Sequence, residues 1–206
     1  MKKRNKLIIT LFTFGVILFT IVQFIIVPKQ KADKERYLSN QLEATKQDLN
    51  YIMDYKNQYL GNFSNTINLF HNLPLSVNDM TFEIFKDLTL KVEFKDTFLN
   101  VGKKSMKNKS VSEPSNVEEW DNIYKEEVYK SLIYNSTAAF ALIDNLEGIT
   151  YHFSDVEYRV KEKDIKNLYS EFDNILNEDR WKEEVQSPLE DSIYIKENFE
   201  KNFIGF

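Results

Sequence analysis

Few residues in this chain have the type and spacing for chemistry. His71 and His152 are the only two histidines among 206 residues, and there is no cysteine. Neither histidine has a partner at metal-ligand spacing, so the zinc-peptidase pattern and multi-histidine centres are missing, and no cofactor or metal is expected. Thiol nucleophiles and thiolate ligands are excluded outright. The five glycines lie far apart, which leaves no phosphate-cradling loop. No serine is followed three residues later by lysine, and Gly-x-Ser-x-Gly does not occur. The pairs Glu118-Glu119, Glu126-Glu127 and Glu183-Glu184 are helix neighbours that diverge around an axis, a poor arrangement for general acid–base work. What remains is a mildly convergent polar set, Asp144, His152 and Asp155, with Glu157 close by. A weak cation site there has no calcium-loop pattern behind it. A second set is the basic run Lys103, Lys104, Lys107 and Lys109. It reads either as a surface for an anionic partner or as a solvated loop. Trp120 and Trp181 read as packing anchors or as recognition aromatics.

The element that must position all of this is Leu7–Val27, a run with no charge and one strongly polar residue, Gln23. As a helix it is roughly 30 Å long, the thickness of a bilayer core. Lys2, Lys3, Arg4 and Lys6 precede it without an acid. The positive-inside bias then puts residues 1–6 in the cytoplasm as a basic tail and everything past Val27 outside. A cleaved signal peptide would have a shorter apolar run and a small-x-small site. Here the run ends Phe-Ile-Ile-Val-Pro-Lys-Gln-Lys, so an uncleaved anchor over 7–27 is expected.

Roughly 180 residues follow the anchor, enough for one domain with a real core. With sixteen Phe and eleven Tyr, that core is built largely on rings. The outer part sets 23 of the 27 basic residues against 32 acidic ones. An acidic outer part is a poor match for nucleic acid or anionic wall polymers, so no nucleic-acid partner is expected.

Residues 28–59 read as a helical stalk, with Leu38, Leu42, Thr45, Leu49, Ile52 and Tyr59 at 4–3 spacing. The stripe fits either a homodimer seam at the membrane or an amphipathic helix folded on its own domain. A domain over 60–206 follows. A short helix with Ile67, Phe70 and Leu73 ends at Pro74. Period-two alternation over Phe82–Phe94, interrupted at Lys86-Asp87, reads as a hairpin or one long bent strand, and that over Ile149–Phe153 and Val156–Val160 as a second hairpin, with His152 on its polar face. Residues 99–121 carry no clear element. Ser115-Asn116-Val117-Glu118 is a capping-box pattern that opens a long helix to about Asn145, apolar over most of its second half and so buried on several sides. A helix from about Lys163 with Ile165, Leu168, Phe172 and Ile175 follows. A last helix opens at Ser187-Pro188 and buries Leu189, Ile193, Phe199 and Phe203.

Three stretches taken together carry a resemblance: Tyr59-Leu60-Gly61-Asn62-Phe63-Ser64-Asn65, Leu73-Pro74-Leu75, and Phe140-Ala141-Leu142-Ile143-Asp144-Asn145-Leu146. They resemble an uncharacterised extracytoplasmic domain family of low-GC Gram-positive bacteria. Some members look like lone membrane-anchored proteins; in others the domain is attached to membrane metallopeptidase sensors of the beta-lactam-receptor type. The likeness covers about Tyr51 to Trp181. It implies no catalytic residue, because the family has no established activity. The chain departs from the pattern at Phe63, where a polar residue is usual, and in its lysine-rich insert after the first hairpin.

The expectation is a single-pass membrane protein with an α+β outer domain: two hairpins in an antiparallel sheet, the 115–145 helix packed on it, and flanking helices. Its expected role is non-catalytic binding, sensing or regulation, with the membrane and a membrane protein as partners. Asp144, His152, Asp155, Lys103 and Lys104 form the candidate surface. Two alternatives stand beside it, an envelope hydrolase using Asp144, Asp155 and His152, and a dimeric tether through the stalk.

Overall fold

The computed structural model describes residues 2–56, 58–107, 109, 114 and 116–206, with side chains described from residue 12 onward, except in the same gaps. The chain forms two compact units, 1–40 and 41–206. The first is helical: α1 (Lys2–Ile21), a π turn (Val22–Ile26) and α2 (Val27–Asn40). Its stretch from Phe12 is long and apolar enough to cross a membrane.

The second unit is α+β. After α3 (Phe63–His71), β1 (Met80–Ile84) and β2 (Thr89–Phe94) form a hairpin. Two helices follow, α4 (Phe98–Met106) and α5 (Val117–Leu142), and then the hairpin of β3 (Gly148–His152) and β4 (Glu157–Lys161). The sheet order is β1-β2-β3-β4-β5, with β5 a two-residue strand (Ile204–Gly205). Both hairpins are antiparallel, but they join in parallel, with Leu90 opposite Ile149 and Val92 opposite Tyr151. The crossover through α4 and α5 makes that parallel join possible. The C-terminal part adds α6 (Glu162–Lys166), α7 (Glu178–Arg180) running into a π turn (Trp181–Gln186), and α8 (Ser192–Asn202).

Alternation along the strands separates the two faces of the sheet. Leu90, Val92, Phe94, Ile149, Tyr151, Phe153 and Val160 are buried. Rings fill much of the space on that face. Phe94 stacks on Phe153 at 4.8 Å, Phe98 meets Phe153 edge-on at 5.0 Å, and Phe199 of α8 stacks on Tyr129 of α5 at 3.8 Å. Such contacts add to area burial, which matters in a domain with no disulfide.

The second half of helix α5 is enclosed. Thirteen of the helix's residues are buried, including the unbroken run Ser131–Phe140. The polar side chains of that run are shut off from water, and Tyr134, Asn135, Ser136 and Thr137 each bond a different neighbour, with Asn135 Oδ1 left unpaired among the described residues. The Tyr134 hydroxyl donates to Gln47 Oε1 at 3.0 Å and accepts from Trp181 Nε1 at 3.3 Å. Asn135 Nδ2 donates to the Pro74 carbonyl at 2.8 Å. Ser136 bonds the Tyr151 hydroxyl at 3.0 Å, and Thr137 bonds the Tyr169 hydroxyl at 2.8 Å. Gln47 is itself satisfied, its amide donating to the carbonyls of Gln41 and Asn72.

Several expected elements take a different form. The helix expected through Tyr59 ends at Asn40. Residues 41–56 form turns and 3-10 segments that bury Ala44, Leu49 and Ile52 in the core, so two of the six residues of the expected dimer seam, Leu49 and Ile52, are folded inward. Residues 99–121 are not featureless. Thr97 caps α4 by accepting from Asn100 N, and Phe98 and Val101 are buried. Nine residues were too few for the periodicity to register. The capping box at Ser115 lies outside the described residues; the observed cap is Asn116, which accepts from Glu119 N at 2.9 Å. The helix expected from Lys163 stops at Lys166. Ile193 is 68% exposed rather than buried, because α8 starts after an Asp191 cap and not at Ser187.

Burial pushes the Tyr134, Tyr151 and Tyr169 phenols up from their ordinary value of 10.0. These groups stay neutral in the fold, so their contribution is complete below pH 10 and is lost as the unfolded chain ionises above it. Stability is expected to fall by about 4 kcal/mol for each pH unit past 10 from the three together. Urea unfolding across alkaline pH, followed by phenolate absorbance, checks this; a flat profile contradicts it.

Candidate functional site

The residues singled out from sequence fall at three places. Asp144 is exposed just past α5, four residues before β3 begins. Its backbone N–H donates to the Gln58 carbonyl at 2.8 Å, and next to it Asn145 Oδ1 accepts from Leu60 N at 2.7 Å. The Tyr59-Leu60 and Asp144-Asn145 motifs thus bond one another, which is a structural use for both. Asp144 also lines an open groove of about 800 Å³ with Lys56, Glu162, Lys166, Asp173 and Arg180. The charges there balance, and Arg180 is held by Glu171 at 2.6 Å and Glu184 at 2.8 Å.

His152 is the last residue of β3, at the opposite end of that strand. Its Nδ1 lies 3.2 Å from Glu157 Oε2 on the polar face of the sheet, and Arg159 approaches the same carboxylate at 3.5 Å. Asp155, in the β3–β4 turn, accepts from Phe98 N at 2.8 Å and so holds the first turn of α4. His152 and Asp155 share one end of the sheet, and Asp144 sits at the other. Among the described residues no group of three or more His, Asp or Glu side chains is gathered to hold a metal ion.

Lys103 and Lys104 lie in the last turn of α4, where cations complement the helix dipole. Together with Asp96, Asn100, Lys107, Lys109, Trp120 and Tyr124 they line a cleft of about 650 Å³ between α4 and the start of α5. Trp120 and Tyr124, one helical turn apart, stack at 5.5 Å and supply a ring wall. Lys104 is tied to Asp96 at 2.6 Å, and that carboxylate raises its ammonium above the ordinary value. Among the described residues, Lys103 and Lys107 have no ion-pair partner.

One lysine of the cleft, Lys109, also belongs to a buried ion triad. Glu127 is 3% exposed, with Lys109 Nζ at 2.7 Å from one oxygen and Lys130 Nζ at 3.0 Å from the other. Burial pushes its carboxyl up, but Lys130 and Lys109 outweigh that and hold it below the ordinary 4.5. The close approach of α4 to α5 depends on Gly102, since a Cβ there would stand 2.4 Å from the Tyr124 carbonyl oxygen. Sequence reading missed the triad and Gly102. In sequence Glu127 reads only as half of the divergent Glu126-Glu127 pair. The one available signal was the Trp120/Tyr124 spacing beside a lysine run.

A family profile described as Domain of unknown function (DUF4825) matches residues 52–166, more than half of the chain. The chain belongs to that family. No curated protein and no solved structure matches it.

Three variants test this architecture. Glu127→Ala strands two ammonium groups and is expected to cost about 3–5 kcal/mol. Because the folded-state pKa is depressed, the Glu127 contribution is present above pH 4.5 and is lost as pH falls through the lower folded value. Glu127→Gln is therefore expected to flatten the acid limb of the stability profile, and an unchanged limb contradicts the assignment. Gly102→Ala is expected to cost about 1–3 kcal/mol by forcing α4 off α5, read as a lower urea midpoint.

Proposed function

We propose that this DUF4825 member is a non-catalytic binding or sensing module held at the outer face of a membrane, and that it takes an anionic, ring-bearing ligand between α4 and α5. One observation carries the reading. In a chain of net charge −5, four lysines converge on a cleft walled by two stacked aromatic rings. Two of those lysines, Lys103 and Lys107, are uncommitted to any acid among the described residues. Ammonium groups attract an anion, and the Trp120/Tyr124 wall offers a flat apolar surface to a ring.

The other chemistry-bearing side chains are tied into the fold or set far apart, which favours recognition over turnover. Asp155 holds α4, Asn145 holds Leu60, and Asp144 and His152 flank β3 at opposite ends. The basic residues ahead of the apolar helix favour an N-in, C-out orientation, with the domain outside. A module so placed would act through a membrane protein. The likeness to domains attached to metallopeptidase sensors points the same way.

The test uses the full-length chain in neutral detergent, with phenyl phosphate and inorganic phosphate as probes and Trp fluorescence as readout. Saturable binding of phenyl phosphate is expected, weakening with salt. Lys103→Glu with Lys107→Glu is expected to weaken it tenfold or more, and Trp120→Leu to weaken phenyl phosphate while sparing inorganic phosphate. An unchanged Kd in the double charge reversal, or no binding of either probe, overturns the cleft assignment. Hydrolysis of phenyl phosphate overturns the non-catalytic part.

A further inference from the structure

The apolar helix carries polar side chains along one stripe. Thr13, Val16, Thr20 and Gln23 follow at steps of three, four and three, which keeps them on one helix face. Leu18 falls on the opposite face by the same geometry. Thr20 is satisfied within its own helix, its hydroxyl donating to the Val16 carbonyl at 2.8 Å. Gln23 is not: among the described residues its amide has no hydrogen-bond partner, and it is exposed. It also sits in the π turn Val22–Ile26, where the Val27 N–H bonds back to the Val22 carbonyl. Such turns recur at functional positions because the extra residue re-aims the side chains around it.

Gln23 lies four residues before the end of the apolar run, roughly 6 Å inside it. A primary amide at that depth meets lipid with two N–H donors and a carbonyl unpaired, and hydrocarbon offers neither a donor nor an acceptor.

We infer that this stripe is the interface with a second copy of this chain, the two Gln23 amides bonding each other in a parallel pair. The amide is donor and acceptor at once, so it is complementary to itself. A parallel two-fold pair sets each residue opposite its own copy at equal depth. The three–four spacing is that of left-handed packing, the commonest geometry for helices in membranes. The stalk seam offers no equivalent, because the helix ends at Asn40 and Leu49 and Ile52 are buried in the domain. This pairing is independent of the ligand cleft.

The test uses the full chain in phosphatidylcholine vesicles. Because the sequence has no cysteine, a single one at Val16 or Leu18 is a unique crosslinking probe. Oxidation is expected to link Val16→Cys copies and leave Leu18→Cys copies single. Adding Gln23→Leu, a change that suits membrane insertion, is expected to lower the linked fraction about tenfold, while Gln23→Asn retains most of it. Equal linking from Val16→Cys and Leu18→Cys overturns the interface, as does indifference to Gln23→Leu. Linking of Val16→Cys in native membranes only to a different protein overturns the second-copy assignment.

Discussion

The domain over residues 41–206 depends on one constraint: the second half of α5 is enclosed, so the polar side chains on its inner turns must find partners within the protein, and among Tyr134 to Thr137 only the Asn135 Oδ1 atom lacks one among the described residues. An unpaired buried hydroxyl or amide costs about 1–3 kcal/mol, and four such residues stand in succession from Tyr134 to Thr137. Each is bonded to a separate element, namely the segment after α2, the turn at Pro74, strand β3 and the loop at Tyr169. Polar groups thereby specify which neighbour lies on which side of the helix, a task that apolar contacts alone perform loosely.

This arrangement also explains why the compact unit is larger than the stretch the family profile covers. Residues 41–49 precede that stretch and Trp181 and Gln186 follow it, yet one bonded chain joins them. Gln47 accepts from Tyr134, Tyr134 accepts from Trp181, and Gln186 donates to the Gln47 carbonyl at 2.8 Å. Removing the first flank would take away Leu49 and the Gln47 acceptor, and removing the second would take away Trp181, so each loss strips the core of a buried side chain and the Tyr134 hydroxyl of one partner. The domain has no covalent crosslink, so its ends are held by this network and by ring packing.

Charge is distributed unevenly, and the unevenness follows from packing. Lys109 and Lys130 are drawn inward by Glu127, and Lys104 is held by Asp96, while Lys103 and Lys107, at the α4–α5 cleft, have no ion-pair partner among the described residues. An acidic surface overall favours solubility and does not oppose a local cationic site, because interactions beyond about 10 Å are screened at ordinary salt. The polar face of the sheet behaves differently: acids and bases alternate across it, with Glu157 shared by His152 and Arg159.

Much of this protein was legible as sequence because the relevant physics is local. An uncharged apolar run of helical length, period-two alternation in four strands, and apolar residues all round the second half of α5 each follow from side chains a few positions apart. The same reading placed His152 on a polar strand face, where it lies. Long-range bonds were not legible in this way. Whether the hairpins joined in parallel, whether Leu49 and Ile52 faced a second copy or their own core, and whether Lys103 and Trp120 shared a cleft all depended on partners dozens of residues away. Glu127 shows the reason most plainly. Its neighbours in sequence make it one of two surface acids, but α4 crosses at Gly102 and brings Lys109 onto it. Composition and spacing by themselves determined the α+β class, the membrane-length helix and the lack of familiar catalytic motifs. Only tertiary structure decided which charges are buried, which are free and which surfaces meet, because burial and ion pairing are properties of the packed chain and not of its local sequence.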